Sequence, residues 1–160
     1  MSSGVKKTNA MRMLDSAKIP YEVRTYEFEE TDLAGIHAAD AGGMPYETLV
    51  KTLVARGDKT GFVVFWIPVA EELDLKKAAR ASKNKSVELL HVKDLLPTTG
   101  YIRGGCSPVG MKKEFPTYID ETAMLFDAIA VSGGMRGVQL IVNPDQLLGF
   151  VKGEYVDLTA

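Results

Sequence analysis

The sequence has little of what a disulfide or a metal site requires. Its 160 residues include one cysteine, Cys106, and two histidines, His37 and His91, which are far apart. A single cysteine cannot form an internal disulfide or supply a cysteine-rich zinc site. The histidines form no HExxH or HxH pattern, so no motif marks a metal site. We expect neither a metal nor another cofactor.

An excess of basic charge and a long apolar segment are also missing. The formal net charge is −2, whereas proteins that cover duplex nucleic acid are usually strongly basic. We therefore expect no DNA partner, while a small contact with one end of a nucleic acid stays open. No apolar run is long enough to span a bilayer, and the N-terminus lacks the apolar region of a signal peptide. We expect a cytoplasmic protein without a membrane partner.

The remaining composition is that of an ordinary globular protein, with 46% hydrophobic and 25% charged residues. A chain of this length predicts a single domain over residues 1–160. Short strands and short helices interleave without a regular βαβ repeat. This pattern predicts an α/β (mixed α+β) fold in which a mixed, strongly curled β-sheet forms a barrel-like core surrounded by short helices.

Apolar periodicity, capping residues and turn residues predict the individual elements. A first helix is capped by Thr8 or Asn9 and ends before Pro20. The other expected elements are a strand over 21–26, a helix over 33–41, a hairpin of 49–55 with 62–68, a helix over 75–82 capped by Asp74, strands over 87–90, 117–119, 128–131 and 138–142, a helix over 92–96 halted by Pro97, a helix starting at Pro144, and an edge strand over 155–158.

The segment 100–110, GYIRGGCSPVG, is the most informative part of the chain. It contains four glycines and a proline, but also apolar residues that a flexible linker would lack, so it predicts an ordered loop. Gly104 and Gly105 allow a ligand to approach the main chain, and Pro108 stiffens the segment that carries Ser107.

A second glycine cluster, SGGMRGVQL over 132–140, adds Arg136 and Gln139. With Ser107, these side chains offer hydrogen-bond donors suited to an ester, a ribose or a phosphate. Neither loop matches GxxxxGK[ST] or GxGxxG, so a nucleotide-binding fold is weakly supported. The alternative is that both loops are plain turns.

Lys51 is the lone basic residue of the apolar run LVKTLV. In one interpretation it reaches into a pocket formed with the two glycine loops, where its charge would bind a phosphate or ribose oxygen. In the other it points to solvent, because a sheet commonly has one wet face.

Two side chains of the first glycine loop are candidate nucleophiles. Cys106 would need a base, but no histidine stands at a recognisable spacing, so a thiol tucked beside the loop is the alternative. Ser107 lies in GCSPV, which does not match the GxSxG elbow, so we expect it to act as a hydrogen-bonding group.

A basic run lies in KKAARASKNK, which contains Lys76, Lys77 and Arg80 and no acidic residue. Such a run is usually a solvated helix face, but it also steers anionic polymers. Lys112 and Lys113 follow the first glycine loop and favour the second interpretation, in which these five residues contact an anionic polymer.

Four motifs in order, LVKTLV, IPVAEELDLKK, TGYIRGGCSPVGMKK and VSGGMRGVQL, resemble the bacterial YbaK/EbsC proteins. These are free-standing relatives of the editing domain of bacterial prolyl-tRNA synthetase. The resemblance implies a trans-editing deacylase of Cys-tRNA(Pro) or Cys-tRNA(Cys) that acts at the 3′ aminoacyl end, with prolyl-tRNA synthetase as a partner. It also implies that the substrate's own thiol attacks the ester and that the amino acid leaves as a thiolactone.

The resemblance assigns roles to individual residues. Lys51, Tyr26, Gly105 and Ser107 become catalytic residues. The backbone N–H groups of Gly104, Gly105, Ser107 and Pro108 are expected to hold the carbonyl oxygen. The substrate-binding residues are Gly104, Pro108, Ser132, Gly133, Gly134, Arg136, Gly137, Gln139 and Phe28.

Phe28 stands where some cysteine-specific members have histidine, and Gln139 where some have aspartate. A deacylase that uses water on alanyl- or seryl-type mischarged tRNA is therefore an alternative. A module that binds aminoacyl-tRNA or nucleotides without turnover, and a regulatory or surface-linked protein unrelated to tRNA, are further hypotheses.

Overall fold

The computed structural model describes residues 6–25, 45–103 and 105–160, with the backbone alone at Tyr46. Four α-helices occur in these ranges: α1 (Asn9–Ser16), α2 (Leu75–Ala81), α3 (Val92–Thr99) and α4 (Pro144–Val151). Short 3₁₀ helices span Tyr46–Thr48 and Glu121–Leu125. The strands are β1 (Tyr21–Thr25), β2 (Val50–Gly57), β3 (Gly61–Pro68), β4 (Val87–Leu89), β5 (Thr117–Asp120), β6 (Ile129–Ser132), β7 (Val138–Val142) and β8 (Glu154–Val156).

The strands form two sheets. The smaller sheet is antiparallel with the order β1-β7-β6, and the larger one has the order β4-β2-β3-β5-β8. In the larger sheet β5 is parallel to both β3 and β8, whereas β2 is antiparallel to β3 and β4. A single parallel bridge between Leu49 and Ala130 links the sheets. The fold is therefore a mixed α/β fold, as predicted.

The predicted barrel-like core is not supported. The strands of the described ranges divide into a three-stranded and a five-stranded sheet, and neither sheet closes on itself. Closure needs a continuous ladder from each strand to the next. Where the two sheets meet, the described residues form a single isolated bridge between Leu49 and Ala130, and no continuous ladder joins the sheets.

The main core lies between the inward faces of the two sheets and helix α1. Trp66 and Ile119 of the larger sheet, Leu140 of the smaller one, and Met11 and Leu14 of α1 are almost fully buried there. A second apolar cluster covers the opposite face of the β2–β3 hairpin, where Phe65 packs with Ala78 of α2. Since alternate residues of a strand point to opposite faces, the hairpin is buried on both sides over much of its length.

The predicted strands and helices match those of the described chain to within a few residues. The hairpin, the helix capped by Asp74 and the strand Val138–Val142 are confirmed. The edge strand is also confirmed, although it spans Glu154–Val156. The predicted helix over 33–41 lies outside the described residues.

One predicted helix end is wrong. Helix α3 continues through Pro97 to Thr99 and ends at Gly100, which has φ 90°. Proline removes only its own N–H from the helix, and the hydrogen bond lost is the one to Lys93, an exposed residue near the first turn. The Thr99 hydroxyl donates to the Leu95 carbonyl at 2.8 Å and stabilises the last turn.

Candidate active site

The two glycine-rich loops pack against each other through their main chains. A β-carbon placed on Gly105 would lie 3.1 Å from the α-carbon of Met135 and 3.2 Å from the backbone nitrogen of Arg136. This close approach favours a residue without a side chain. The Arg136 Nε also donates to the carbonyl oxygen of Arg103 at 2.9 Å. The fold thus joins two segments that are separate in the sequence.

The second loop turns the chain from β6 into β7. The Gly133 N–H donates to the Val138 carbonyl at 2.9 Å, and the Gly134 N–H donates to the Ser132 hydroxyl at 3.2 Å. Gly134 and Gly137 have φ values of 105° and 86°, which residues with a side chain rarely adopt. These conformations and hydrogen bonds give the loop a defined shape.

Thr8 connects this loop to the start of helix α1. Its hydroxyl donates to the Gly133 carbonyl at 2.6 Å and accepts from the Met11 N–H, as an N-cap residue does, at 3.3 Å. One side chain therefore both begins a helix and holds the second loop in place.

The first loop is held by its own side chains. The Tyr101 hydroxyl donates to the Val109 carbonyl at 2.5 Å, and the Val109 N–H donates to the Ser107 hydroxyl at 3.2 Å. Gly110, with φ 85°, lies against the Tyr101 hydroxyl. Ser107 is fully buried and Pro108 is buried beside it. The Ser107 hydroxyl thus stabilises the loop, and the structure does not present it as an exposed nucleophile.

The backbone N–H groups of the first loop differ in their availability. The Gly105 N–H donates to the Ile102 carbonyl at 3.0 Å, and Pro108 has no N–H. Within the ranges that the structure describes, the N–H groups of Cys106 and Ser107 have no acceptor. Most buried N–H groups in proteins are paired, so two consecutive unpaired ones suit a ligand oxygen. The prediction that the N–H groups of Gly105 and Pro108 hold the carbonyl oxygen is therefore corrected, because the first is already paired and the second does not exist.

Lys51 lies on β2 close to the second loop. Leu49 and Ala130, which form the bridge between β2 and β6, are both buried in one cluster. Two residues further along these parallel strands, Lys51 and Ser132 occupy neighbouring positions on the same face. Lys51 is half-buried, and this burial lowers the pKa of its ammonium group, while the nearby Glu72 and Glu71 oppose the shift.

A row of polar side chains crosses the smaller sheet on the face opposite the main core. Gln139 of β7 is paired with Ser132 of β6 on one side and with Arg24 of β1 on the other. Arg24 donates to Oε1 of Gln139 from Nε at 3.1 Å and from Nη2 at 2.6 Å. Sequence reasoning did not select Arg24. The signal available in the sequence was that Arg24 follows Val23 in a strand, so that its side chain points to the face opposite the core.

The Cys106 thiol is unsuited to nucleophilic chemistry. Cys106 is buried, and burial raises the pKa of its thiol to about 12. A thiol with such a pKa is almost entirely protonated near neutral pH and is a poor nucleophile. This geometry favours the interpretation of a small side chain tucked beside the loop.

The basic residues have different surroundings. Lys77 is half-buried, donates to the Thr159 carbonyl at 2.8 Å and forms an ion pair with Asp157 at 3.1 Å. Lys76 and Arg80 are exposed on α2, and Lys113 is exposed after the first loop. Lys112 is also exposed, and its ammonium group donates to the Pro97 carbonyl at 3.3 Å. Lys77 therefore joins α2 to the C-terminal segment, while the other four remain available to a polyanion.

Three predicted site residues, Tyr26, Phe28 and Gly104, lie outside the described residues. Within the described ranges, no group of three His, Cys, Asp or Glu side chains is arranged to hold a metal ion. Among the helices of those ranges, none has the length and apolar character needed to cross a membrane.

Comparison with known proteins identifies the family. Residues 32–150 match the aminoacyl-tRNA editing domain family, and this match covers more than half of the chain. The chain belongs to the aminoacyl-tRNA editing domain family. The matched segment includes Lys51 and both glycine loops, whereas Thr8 and Arg24 precede it.

A relative from Enterococcus faecalis (strain ATCC 700802 / V583) is similar over nearly its full length. It is named "Putative Cys-tRNA(Pro)/Cys-tRNA(Cys) deacylase EbsC" and is 50% identical over 154 residues, which cover 96% of this chain and 94% of the relative. An uncharacterized Bacillus subtilis (strain 168) protein, YwhH, is 24% identical over 124 residues, which cover 78% of each chain.

Solved structures share the fold of this editing domain. The crystal structure of "a putative trans-editing enzyme for prolyl tRNA synthetase" superposes with a TM-score of 0.80 at 24% identity, over 97% of this chain and 99% of the other. A hypothetical protein of known structure gives a TM-score of 0.83 at 19% identity, over 93% and 97% of the two chains.

Proposed function

We propose that this protein is a cytoplasmic trans-editing deacylase that removes cysteine from mischarged Cys-tRNA(Pro). The family and the 50% identical relative named as a deacylase support the reaction class. The observation that carries the proposal is structural. In a chain of this family, two glycine loops join through their main chains beside the strand that carries Lys51.

The proposed chemistry uses the thiol of the substrate as the nucleophile. The sulfur of the cysteinyl group attacks its own ester carbonyl carbon, a C–S bond forms, and the C–O bond to the ribose breaks. The thiol proton ends on the ribose hydroxyl, so the products are a thiolactone and free tRNA. Holding thiol and ester close together makes such an intramolecular reaction fast.

The protein would then act by positioning the ester and stabilising negative charge on its oxygen. The N–H groups of Cys106 and Ser107, which have no acceptor among the described residues, suit the carbonyl oxygen as charge develops there. The half-buried Lys51 ammonium group would bind an oxygen of the terminal adenosine or of the ester. Ser132, Gly133, Gly134, Arg136 and Gly137 would shape the second side of this site.

Lys51→Ala tests the site, with Lys59→Ala as its matched control. Lys59 is an exposed lysine in the turn between β2 and β3. We expect Lys51→Ala to slow release of cysteine from Cys-tRNA(Pro) by about a hundredfold, because it removes charge stabilisation at the reacting ester. The Lys59 variant should match the unsubstituted protein. Equal rates for all three proteins would remove Lys51 from the mechanism.

Product analysis tests the nucleophile. We expect a thiolactone from cysteinyl-tRNA and no release from seryl-tRNA, whose hydroxyl is a weaker nucleophile than a thiol. Free amino acid released from alanyl-, seryl- and cysteinyl-tRNA alike, without a lactone precursor, would instead show attack by water. Tight binding of aminoacyl-tRNA with every ester intact would indicate a non-catalytic binding module.

The same assay tests the partner. We propose prolyl-tRNA synthetase as the protein that hands over the mischarged tRNA, because the net charge of −2 predicts weak intrinsic binding of tRNA. Adding catalytically inactive prolyl-tRNA synthetase should then lower the KM for Cys-tRNA(Pro). An unchanged KM would mean that this protein captures its substrate unaided.

A further inference from the structure

Gln139 has one of its two amide ends occupied by the protein. Arg24 donates two hydrogen bonds to Oε1 of Gln139, from Nε at 3.1 Å and from Nη2 at 2.6 Å. Gln139 is 8% exposed, and its strand neighbours Val138 and Leu140 point into the main core on the other face of the sheet. The amide therefore lies in a largely enclosed position on the face that carries the polar row.

The chemistry of arginine fixes the orientation of this amide. A guanidinium group carries only donors, so the oxygen of Gln139 must face Arg24 and the Nε2 group must face away. A flipped amide would place N–H groups against the guanidinium. Within the residues that the structure describes, the Nε2 group of Gln139 has no acceptor. Although Gln139 is largely buried, its Nε2 atom is not among the fully enclosed unpaired donors, so a ligand or water can reach it and supply the acceptor.

The Nε2 group of Gln139 lies on the face of the smaller sheet that carries the proposed site. Gln139 is paired with Ser132, the first residue of the second glycine loop. Ser132 in turn neighbours Lys51 across the contact between β6 and β2 that the Leu49–Ala130 bridge sets. The Gln139 amide and the Lys51 ammonium group therefore lie on one continuous face, on either side of Ser132.

We propose that Arg24 is a positioning residue, which orients Gln139 so that its NH₂ group binds an uncharged oxygen acceptor of the acylated adenosine. The acceptor is either the ester carbonyl or a ribose oxygen, because both are neutral and accept hydrogen bonds. The proposal rests on the proposed function and adds a specificity element to it. The oriented amide disfavours any pose that brings the α-ammonium group of the amino acid to this position, since two donors would then face each other.

Gln139→Glu is the sharpest test. A glutamate keeps an oxygen for Arg24, so the contact within the protein is retained, but the NH₂ donor becomes an acceptor. We expect kcat/KM for Cys-tRNA(Pro) to fall by about tenfold or more while the melting temperature is not lowered. A Gln139→Glu enzyme as active as the unsubstituted one would overturn the proposal.

Arg24→Met tests the positioning role, and Arg56→Met is its matched control. Arg56 is an exposed strand residue of β2 that lies over the Phe62 ring, outside the polar row. Arg24→Met should lower kcat/KM by about three- to tenfold, and Arg56→Met should leave it unchanged. In a Gln139→Leu background Arg24→Met should change kcat/KM by less than about twofold, because its effect passes through Gln139. Fully additive losses would contradict that coupling.

A spectroscopic measurement separates this proposal from the proposed function. The probe is an aminoacyl-adenosine in which an amide nitrogen replaces the ester oxygen, so that binding does not depend on turnover. In a proton–nitrogen correlation spectrum, the Gln139 side-chain NH₂ signals should shift when the probe binds, and Arg24→Met should abolish the shift. A probe without the ribose hydroxyl distinguishes the two acceptors. If the enzyme is active but its Gln139 signals do not shift when the probe binds, this inference is wrong and the proposed function stands. If the protein is inactive on all mischarged tRNAs, the proposed function is wrong.

Discussion

Gly105 and Met135 approach each other so closely that a single added methyl group must displace one of them. The β-carbon of an alanine at position 105 would lie 3.1 Å from the Met135 α-carbon and 3.3 Å from its carbonyl carbon. Both atoms belong to the main chain of the second loop, which hydrogen bonds at Ser132, Gly133 and Gly134 hold in place. The contact therefore fixes the spacing of the two loops.

Gly105→Ala should damage activity more than stability. We expect a loss of about tenfold or more in kcat/KM, because the loops must separate by a few tenths of an ångström and misplace the reacting groups. The loss of unfolding free energy should stay near 1 kcal/mol. Gly149→Ala is the control, since a β-carbon there meets nothing within 4 Å on helix α4. It should leave activity unchanged and raise stability slightly, and similar activities for the two variants would argue against the role of this contact.

The lowered pKa of Lys51 predicts a falling limb in the pH profile of deacylation. Burial favours the neutral amine, so the ammonium group loses its proton at a pH below the usual value for lysine. If the reaction uses the charged form, kcat/KM falls as pH rises through that pKa. In Lys51→Arg the charge persists and the falling limb should disappear, even if the rate at neutral pH is lower. The measurement is kcat/KM against pH for both enzymes, corrected for spontaneous cleavage of the ester. The same falling limb in both enzymes would show that a group other than Lys51 causes it.

The exposed basic residues should affect tRNA affinity, whereas Lys77 should affect stability. Lys76→Glu combined with Lys112→Glu should weaken binding of tRNA at low salt and reduce its dependence on salt concentration. Chemistry on bound substrate should change little. Lys77→Met should instead lower the melting temperature, because it removes the contacts to Asp157 and to the Thr159 carbonyl. Filter binding and thermal unfolding distinguish the two groups, and an unchanged affinity of the double variant would place the tRNA elsewhere.

Thr8 should couple helix stability to the second loop. Thr8→Val removes both the cap of α1 and the hydrogen bond to the Gly133 carbonyl, so we expect a loss of about 1–2 kcal/mol in unfolding free energy. Thr8→Ser retains the hydroxyl and should lose much less. Denaturant unfolding of both variants checks the difference. Equal losses would show that the methyl group, and not the hydroxyl, stabilises this region.

Local signals explain why most of the elements could be predicted. Strand β7 consists of β-branched and apolar residues except for Gln139, and it follows a glycine turn. Asp74 and Asn143 stand immediately before α2 and α4 as N-caps. The predicted helix end at Pro97 is wrong because losing one N–H hydrogen bond in a short, exposed helix costs less free energy than losing its whole last turn.

The features that sequence reasoning missed depend on contacts between distant segments. Arg24 and Gln139 are separated by 115 positions, so only strand pairing reveals that they meet. The division into two sheets likewise depends on β6 meeting β2 through one bridge instead of a full ladder. The internal hydrogen bond of the Gly105 N–H follows from the turn at Ile102, which composition alone does not specify.

The enclosure of the Cys106 sulfur has a consequence for a catalyst that releases a thiolactone. Such a product is an electrophile that transfers its acyl group to accessible thiolates. Cys106 is the only cysteine of the chain, and burial raises the pKa of its thiol to about 12 although it lies in a loop of the proposed site. If the product is the proposed thiolactone, the protein offers it no reactive sulfur and would leave each turnover without an S-acyl modification.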